Sequence, residues 1–274
     1  MNKQGRQAIA LRQNNPPMPK RKRESPATDA LRIIHQNIRS GGNKFIQIRD
    51  LISREEYDIY LFTEVKLEER LVNLYFGDLR NHQIVAYPRD ENPNNGGGLL
   101  AIIRNEIRIV DAERKKVYTT EILDLHIEIE DDQMQIIYIY NPPQESLEQA
   151  GINALVKRQK FMFIGDLNAR HKALGSIGRN KNGKWLSEYV AESDLEVVNS
   201  GLTFRRHGDY REKLYYILCV SKLRDKVMDS KTFSNQVIAD YMNKNFYPVK
   251  FNAEQKEDVF LYGKTFKFVT SGTR

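Results

Sequence analysis

The sequence predicts a single α/β domain whose strands are mixed in direction. Three observations carry this. Short apolar runs with strand character alternate with stretches whose apolar residues recur at helical spacing. One pair of alternating runs, 121–140, folds back at an Asp131–Asp132 turn and reads as a hairpin, which a purely parallel doubly wound sheet does not contain. No repeat or internal linker divides residues 31–274, and the composition, 40% hydrophobic and 29% charged, is that of an ordinary globular chain.

The elements follow in order. Leu31 to Ile38 reads as a strand. Phe45, Ile48, Leu51 and Ile52 share one helical face, so a helix is expected over 43–55. Asp58 to Glu64 is a second buried strand, and Gly96-Gly97-Gly98 punctuates the chain before a strand from Leu99 to Arg104. Leu123, Leu125, Ile127 and Ile129 form the outgoing arm of the hairpin; Met134 to Tyr140 returns, and Pro142-Pro143 ends it. Ser146 to Arg158 is expected to be helical. Phe161 to Ile164, Leu195 to Val198 and Leu214 to Val220 are expected strands, with a helix marked by Leu186, Tyr189 and Val190.

The net charge of +7 is unevenly spread. Residues 1–30 hold Lys3, Arg6, Arg12, Lys20, Arg21, Lys22 and Arg23 against only Glu24 and Asp29. They carry too few large apolar groups to offset ordering entropy, so a disordered basic tail is expected. Such an arm on a nearly neutral body suits a polyanion or a targeting address. Pro19-Lys20-Arg21-Lys22-Arg23 reads as a nuclear localisation signal, a phosphate-contacting tail or a solubilising tail, and the protein as nuclear or cytoplasmic. No apolar stretch follows the basic N-terminus, and none approaches the roughly 20 residues that span a bilayer, so neither a secretory signal nor a membrane partner is expected. The single cysteine, Cys219, excludes a disulfide framework and reads as buried packing in a reducing compartment. Oligomeric state is not legible.

Four segments put a polar group at a strand end, where sites are usually built. Asn37 ends the first strand and Glu64 the second; Tyr140 and Asn141 end the hairpin; Asp166 and Asn168 follow Phe-Met-Phe-Ile-Gly. Residues two apart face one way in an extended chain, so Asp166 and Asn168 are expected to converge. A carboxylate can orient or deprotonate water, and an amide can donate to a phosphate oxygen. With Glu64 as a hard oxygen ligand the set could hold Mg²⁺, which needs only one or two carboxylates. Each residue also has a plain structural reading: Glu64 as a solvated or paired carboxylate, the asparagines as turn caps, Tyr140 as sheet packing. Spacing alone leaves the function open.

Taken together and in order, these segments resemble the DNase I-like endonuclease/exonuclease/phosphatase superfamily, which includes apurinic endonucleases. In style they are most like the endonuclease domains of non-LTR retrotransposons. The likeness runs over roughly residues 31–251. It is carried by Ile34–Arg39, by Gly96–Leu100 after Tyr87-Pro88-Arg89-Asp90, and by Tyr138–Pro143. It continues through Gly165–Arg170 with His171 and Gly183–Asn199, ending in Asn-Ser-Gly-Leu-Thr-Phe. The resemblance implies a four-layer sandwich of two packed mixed sheets flanked by helices. It also implies Mg²⁺-dependent (or Mn²⁺-dependent) phosphodiester hydrolysis, usually nicking of duplex DNA. By the same resemblance Asn37 and Glu64 form the metal corner, and Tyr140 contacts the phosphate or activates the nucleophile. Asp166 positions or deprotonates water, Asn168 orients it and stabilises the transition state, and Thr203 lies near the substrate strand. Residues 1–30 and 252–274 would flank the domain as a tail and an extension.

Two departures bear on catalysis. Tyr215 stands where the family has the aspartate that supports a catalytic histidine. At the family's Ser-Asp-His motif, an ungapped alignment places Asn245 and Phe246, and an alignment on Asp240 places Tyr241. None of His35, His82, His126, His171 and His207 falls at that position. A positioned acid–base group contributes roughly 10²–10⁴-fold in rate, so impaired catalysis is expected. Three readings follow: an active nicking enzyme, an inactive nucleic-acid-binding relative or decaying retroelement fragment, and, with less support, a phosphomonoesterase of lipids or inositol phosphates.

Overall fold

The computed structural model describes residues 31–88, 97–129, 132–147, 149–199, 204–205, 211–226, 229–233, 259–261 and 264–266. The chain divides into two units, Met1–Ile238 and Ala239–Arg274. The first opens with β1 (Arg32–Asn37), α1 (Phe45–Ser53), β2 (Ile59–Thr63), α2 (Glu69–Phe76), β3 (His82–Tyr87) and β4 (Leu99–Arg104). It continues with β5 (Arg108–Val117), β6 (Thr120–Ile129), β7 (Asp132–Tyr140), α3 (Gln149–Asn153), β8 (Phe161–Asp166), α4 (Lys181–Glu192) and β9 (Leu195–Val197). The pair β10 (Phe204–Arg205) and β11 (Arg211–Glu212) precedes β12 (Tyr215–Val220) and β13 (Asp229–Phe233). The second unit contributes an antiparallel pair, β14 (Val259–Leu261) and β15 (Lys264–Phe266).

Two mixed sheets result. The first has the order β13-β1-β2-β4-β3, with β1 parallel to both β13 and β2 and the other pairings antiparallel. The second has the order β5-β6-β7-β8-β12-β9, in which only β7 and β8 run parallel. Alternation assigns the faces. Ile33, Leu61 and Ala101 of the first sheet share one core with Ile136, Ile164 and Ile217 of the second. On the outer side of the first sheet, Ile34, Tyr60, Phe62 and Ile102 meet Ile48 and Ile52 of α1 and Val72 and Phe76 of α2. On the outer side of the second, Phe163 meets Tyr189 of α4, with Leu186 close by. This is the expected four-layer α/β sandwich. Cys219 is a buried thiol on β12.

Some elements differ from the sequence reading. Helix α3 is only Gln149–Asn153, within the stretch 146–158 read as helical. Gly151 sits at its centre and weakens it, and Leu147 is held outside any helix, donating its N–H to Asn182 Oδ1 at 2.9 Å. The outgoing arm of the 121–140 hairpin is itself paired to β5, so the unit is a three-strand meander. Among the described residues no helix is long and apolar enough to cross a membrane. The basic tail with residues 19–23, Arg89–Gly96, Thr203, Asp240, Tyr241, Asn245 and Phe246 lie outside the described residues.

Candidate active site

Strand direction gathers the polar strand ends at one edge. Parallel β1 and β2 finish together, with Asn37 beside Thr63, so Glu64 emerges next to Asn37. Parallel β7 and β8 finish together too, with Tyr140 beside Asp166, and antiparallel β12 starts there, with Tyr215 on the other side of Asp166. Because the sheets pack face to face, their edges meet at one amide. Asn37 Nδ2 donates to Glu64 Oε1 at 2.7 Å and to Asp166 Oδ2 at 3.1 Å. The Arg39 N–H donates to Asn37 Oδ1 at 3.1 Å, which fixes the amide so that its NH₂ faces both carboxylates.

The backbone bends sharply along this rim. Arg39, Glu64, Lys66 and Asn168 have φ of 54°, 53°, 51° and 45°, the left-handed region that non-glycine residues rarely adopt. Such residues persist where the surrounding structure over-determines them, and they cluster at functional sites. Gly165, just before Asp166, has a φ of 149°, and a Cβ there would lie 1.8 Å from the Ile139 carbonyl oxygen. Only glycine lets β8 approach β7 closely enough to seat Asp166 at this point. Gly98 has a φ of 86° and donates its N–H to the buried Glu121 carboxylate at 2.6 Å, while Gly97 O accepts from the Lys66 N–H at 3.2 Å.

Asn168 reaches the site by a different route from the one its spacing suggested. Strand β8 ends at Asp166, so the pair is not two positions of one extended strand. Asn168 turns back, and its N–H donates to Asp166 Oδ1 at 3.3 Å while Nδ2 donates to the Asn141 carbonyl at 2.7 Å. Two further asparagines hold this turn. Asn141 donates its N–H to the Asp166 carbonyl at 2.8 Å, and its Oδ1 accepts from Thr120 Oγ1 at 2.8 Å. Asn180 caps α4 by accepting from the Gly183 N–H at 2.8 Å. The same oxygen accepts from the Arg170 N–H at 2.8 Å, and Nδ2 donates to the Asn168 carbonyl at 2.6 Å. Asn180 is not legible as a site residue from the sequence. Its one signal in the sequence was the Asn-Lys-Asn-Gly run ahead of a helical face.

Electrostatics sharpen the picture. Asp166 is 3% exposed. Burial first, then the Glu64 carboxylate, raises its carboxyl well above the usual range, against the donated N–H groups of Asn37 and Asn168. Tyr215 is buried beside it, its phenol held neutral by burial and by the neighbouring carboxylates. Behind both lies His35, edge-on to Tyr215 at 5.4 Å and to Tyr138 at 5.7 Å. Burial lowers the pKa of His35 to about 3, so it is a neutral core imidazole and no substitute for a surface acid. Lys44 donates to the Ile38 carbonyl close to Arg39, Glu64 and Lys66, and burial followed by the Arg39 charge lowers its ammonium.

Glu64 and Asp166 supply two hard carboxylates that suit Mg²⁺, which keeps several of its waters; Asn37 turns its NH₂ to both acids here and would offer Oδ1 to a metal only with the amide turned over. A dication between the acids would also supply the positive charge that the buried Asp166 lacks. Among the described residues no third acidic, histidine or cysteine side chain joins them.

Comparison with known proteins agrees with this architecture. Residues 134–230 match the family model described as endonuclease-reverse transcriptase. The chain is 25% identical over 170 residues to the RNA-directed DNA polymerase from mobile element jockey of Drosophila funebris. That alignment takes in 61% of this chain but only 18% of the relative. The endonuclease domain of TRAS1, a telomere-specific non-LTR retrotransposon, superposes with a TM-score of 0.54 at 14% identity, covering 71% of this chain and 87% of that one. The 3′ phosphatase NExo from Neisseria, bound to a product DNA hairpin, superposes with a TM-score of 0.52 at 13% identity, covering 71% and 88%. The chain therefore has the DNase I-like fold of the endonuclease/exonuclease/phosphatase proteins. Within that fold it resembles the endonuclease domain of non-LTR retrotransposons.

Proposed function

We propose that this domain hydrolyses a phosphodiester bond of DNA, nicking the duplex in a reaction that requires Mg²⁺ or Mn²⁺, with weakened catalysis. One observation carries the reading: a single amide, Asn37, links Glu64 of one sheet to the buried Asp166 of the other. Asn37 and Glu64 would hold the metal, which when bound supplies Lewis-acid charge against the phosphate oxygens. Asp166 orients the attacking water and accepts its proton. Asn168, fixed by Asn141 and Asn180, orients that water, and Tyr140 lies beside Asp166 to donate toward the phosphate. Thr203 is assigned to the substrate strand by resemblance alone. The basic segment 19–23 would serve a nuclear address.

A second reading, an inactive nucleic-acid-binding module, is favoured by Tyr215. A buried neutral phenol lies against Asp166 where the family carries an ionised aspartate, so no supported histidine completes the acid side of the reaction. The test is supercoiled plasmid incubated with Mg²⁺, with Mn²⁺ and with chelator. Slow nicking that chelation abolishes, and that Glu64→Ala and Asp166→Ala each abolish, is the expected result. Salt-sensitive DNA binding with no nicking in either metal overturns the enzyme and leaves the module.

A further inference from the structure

The loop joining β5 to β6 is a two-residue turn, Tyr118-Thr119, closed by the pair Val117 and Thr120. Tyr118 occupies its first central position with a φ of 53°. Hairpins with positive φ at that position normally place glycine there, because any Cβ is strained. A bulky tyrosine in a strained turn calls for a compensating use. Packing does not provide one, since Tyr118 is 78% exposed, the most exposed large hydrophobic residue among those described.

Its position supplies the use. The foot of the hairpin is built into the wall of the candidate site. Thr120 bonds Asn141, Glu121 pairs with Tyr140 and holds Gly98, and Gly97 bonds Lys66, the residue two past Glu64. Tyr118 therefore stands two residues beyond that wall, a reach of roughly 7 Å along an extended chain. Duplex DNA rises 3.4 Å per base along each strand, so this reach spans roughly two base steps. The approach is cationic. Lys116 is exposed on the same hairpin, and Lys66, whose N–H bonds Gly97, adds a second cation at its foot. Lys115 is not part of that surface: it turns inward to the buried Asp124. An exposed aromatic ring among cations is the combination that binds a nucleic-acid strand, charge along the phosphates and a ring against a base.

We infer that Tyr118 is a nucleobase-contacting wedge, inserting beside the strand to be cut about two base steps from the scissile phosphate, with Lys116 on the adjoining phosphate. This rests on the nuclease reading above and adds to it the residue that grips the substrate beside the cut. Tyr118 touches none of the reacting groups, so it is a positioning residue.

The experiment measures binding of the full chain to a short fluorescein-labelled duplex by anisotropy, in Mg²⁺-free buffer, for wild type and four variants. Tyr118→Ala is expected to weaken binding roughly 5- to 150-fold, the worth of one aromatic–base stack. Tyr118→Phe stays within about twofold, because the ring and not the hydroxyl makes the contact. Tyr118→Trp adds an exposed indole whose fluorescence DNA quenches, a signal distinct from Trp185, which is stacked on Tyr189. Lys116→Gln lowers the slope of log affinity against log salt by about one. All four variants should melt with the wild type, since neither side chain is packed. If wild type binds the duplex and Tyr118→Ala binds equally well, the wedge is wrong while the nuclease reading stands. If wild type does not bind duplex DNA at all, both fall together.

Discussion

Replacing His35 by leucine should remove an acid lability that the wild-type fold carries. The imidazole is fully enclosed between the sheets, against Tyr138 and Tyr215, and neither ring nitrogen makes a hydrogen bond. Burial lowers its pKa from the ordinary 6.5 to about 3. Between those values the unfolded chain binds a proton at this residue and the folded chain does not. Stability therefore falls as pH falls through that window, by about 1.4 kcal/mol per pH unit and by about 5 kcal/mol across all of it. That is a large share of the roughly 5–15 kcal/mol by which a domain is stable. Above pH 6.5 the contribution is flat, and leucine there trades two unsatisfied nitrogens, each worth about 1–3 kcal/mol, against a changed shape of similar penalty. The informative quantity is thus the slope and not the value at pH 7. Urea unfolding of wild type and His35→Leu at pH 7, 6, 5 and 4 gives the difference in stability at each. The wild type should lose about 2–3 kcal/mol more than the variant between pH 6 and pH 4. Parallel profiles over that interval would show that His35 takes up its proton in the folded state, and the argument from enclosure would be refuted.

Other substitutions probe the seat of Asp166. Gly165→Ala puts a Cβ 1.8 Å from the Ile139 carbonyl oxygen in a backbone region closed to alanine. Destabilisation of about 3–5 kcal/mol, combining overpacking with backbone strain, should appear as a lowered urea midpoint, and a wild-type midpoint would contradict the β7–β8 approach. Asn180→Ala removes the cap of α4 and both bonds to the 168–170 turn, and should lower stability by about 1–2 kcal/mol. Asn180→Asp keeps the accepting oxygen but loses the donor to the Asn168 carbonyl, so its melting temperature should fall between those of wild type and alanine; equal melting of all three would deny Asn180 a part in holding Asn168.

The elements that could be read from the sequence were those buried on a regular period. Strands β1, β2, β4 and β8 are dense apolar runs, and α1 and α4 show one apolar face. Strand β5 is not legible because it is a sheet edge: Arg108 to Val117 carries charge on both faces, which protects an edge but erases the alternation. Helix α2, at eight residues, is too short for its period to stand out.

The residue chemistry of the site was likewise present in the sequence: two carboxylates, three asparagines and a tyrosine at strand ends, with a glycine before Asp166. What the sequence determined by itself was which groups are polar and which strand ends carry them, because composition and periodicity are local. Only the tertiary structure decided that Asn37 bonds Glu64 and Asp166 at once, that Asn168 arrives through a left-handed turn held by Asn141 and Asn180, and that His35 is sealed behind Tyr215. Those relations join residues far apart in the chain. They depend on strand direction, sheet order and face-to-face packing, which no short window of sequence encodes.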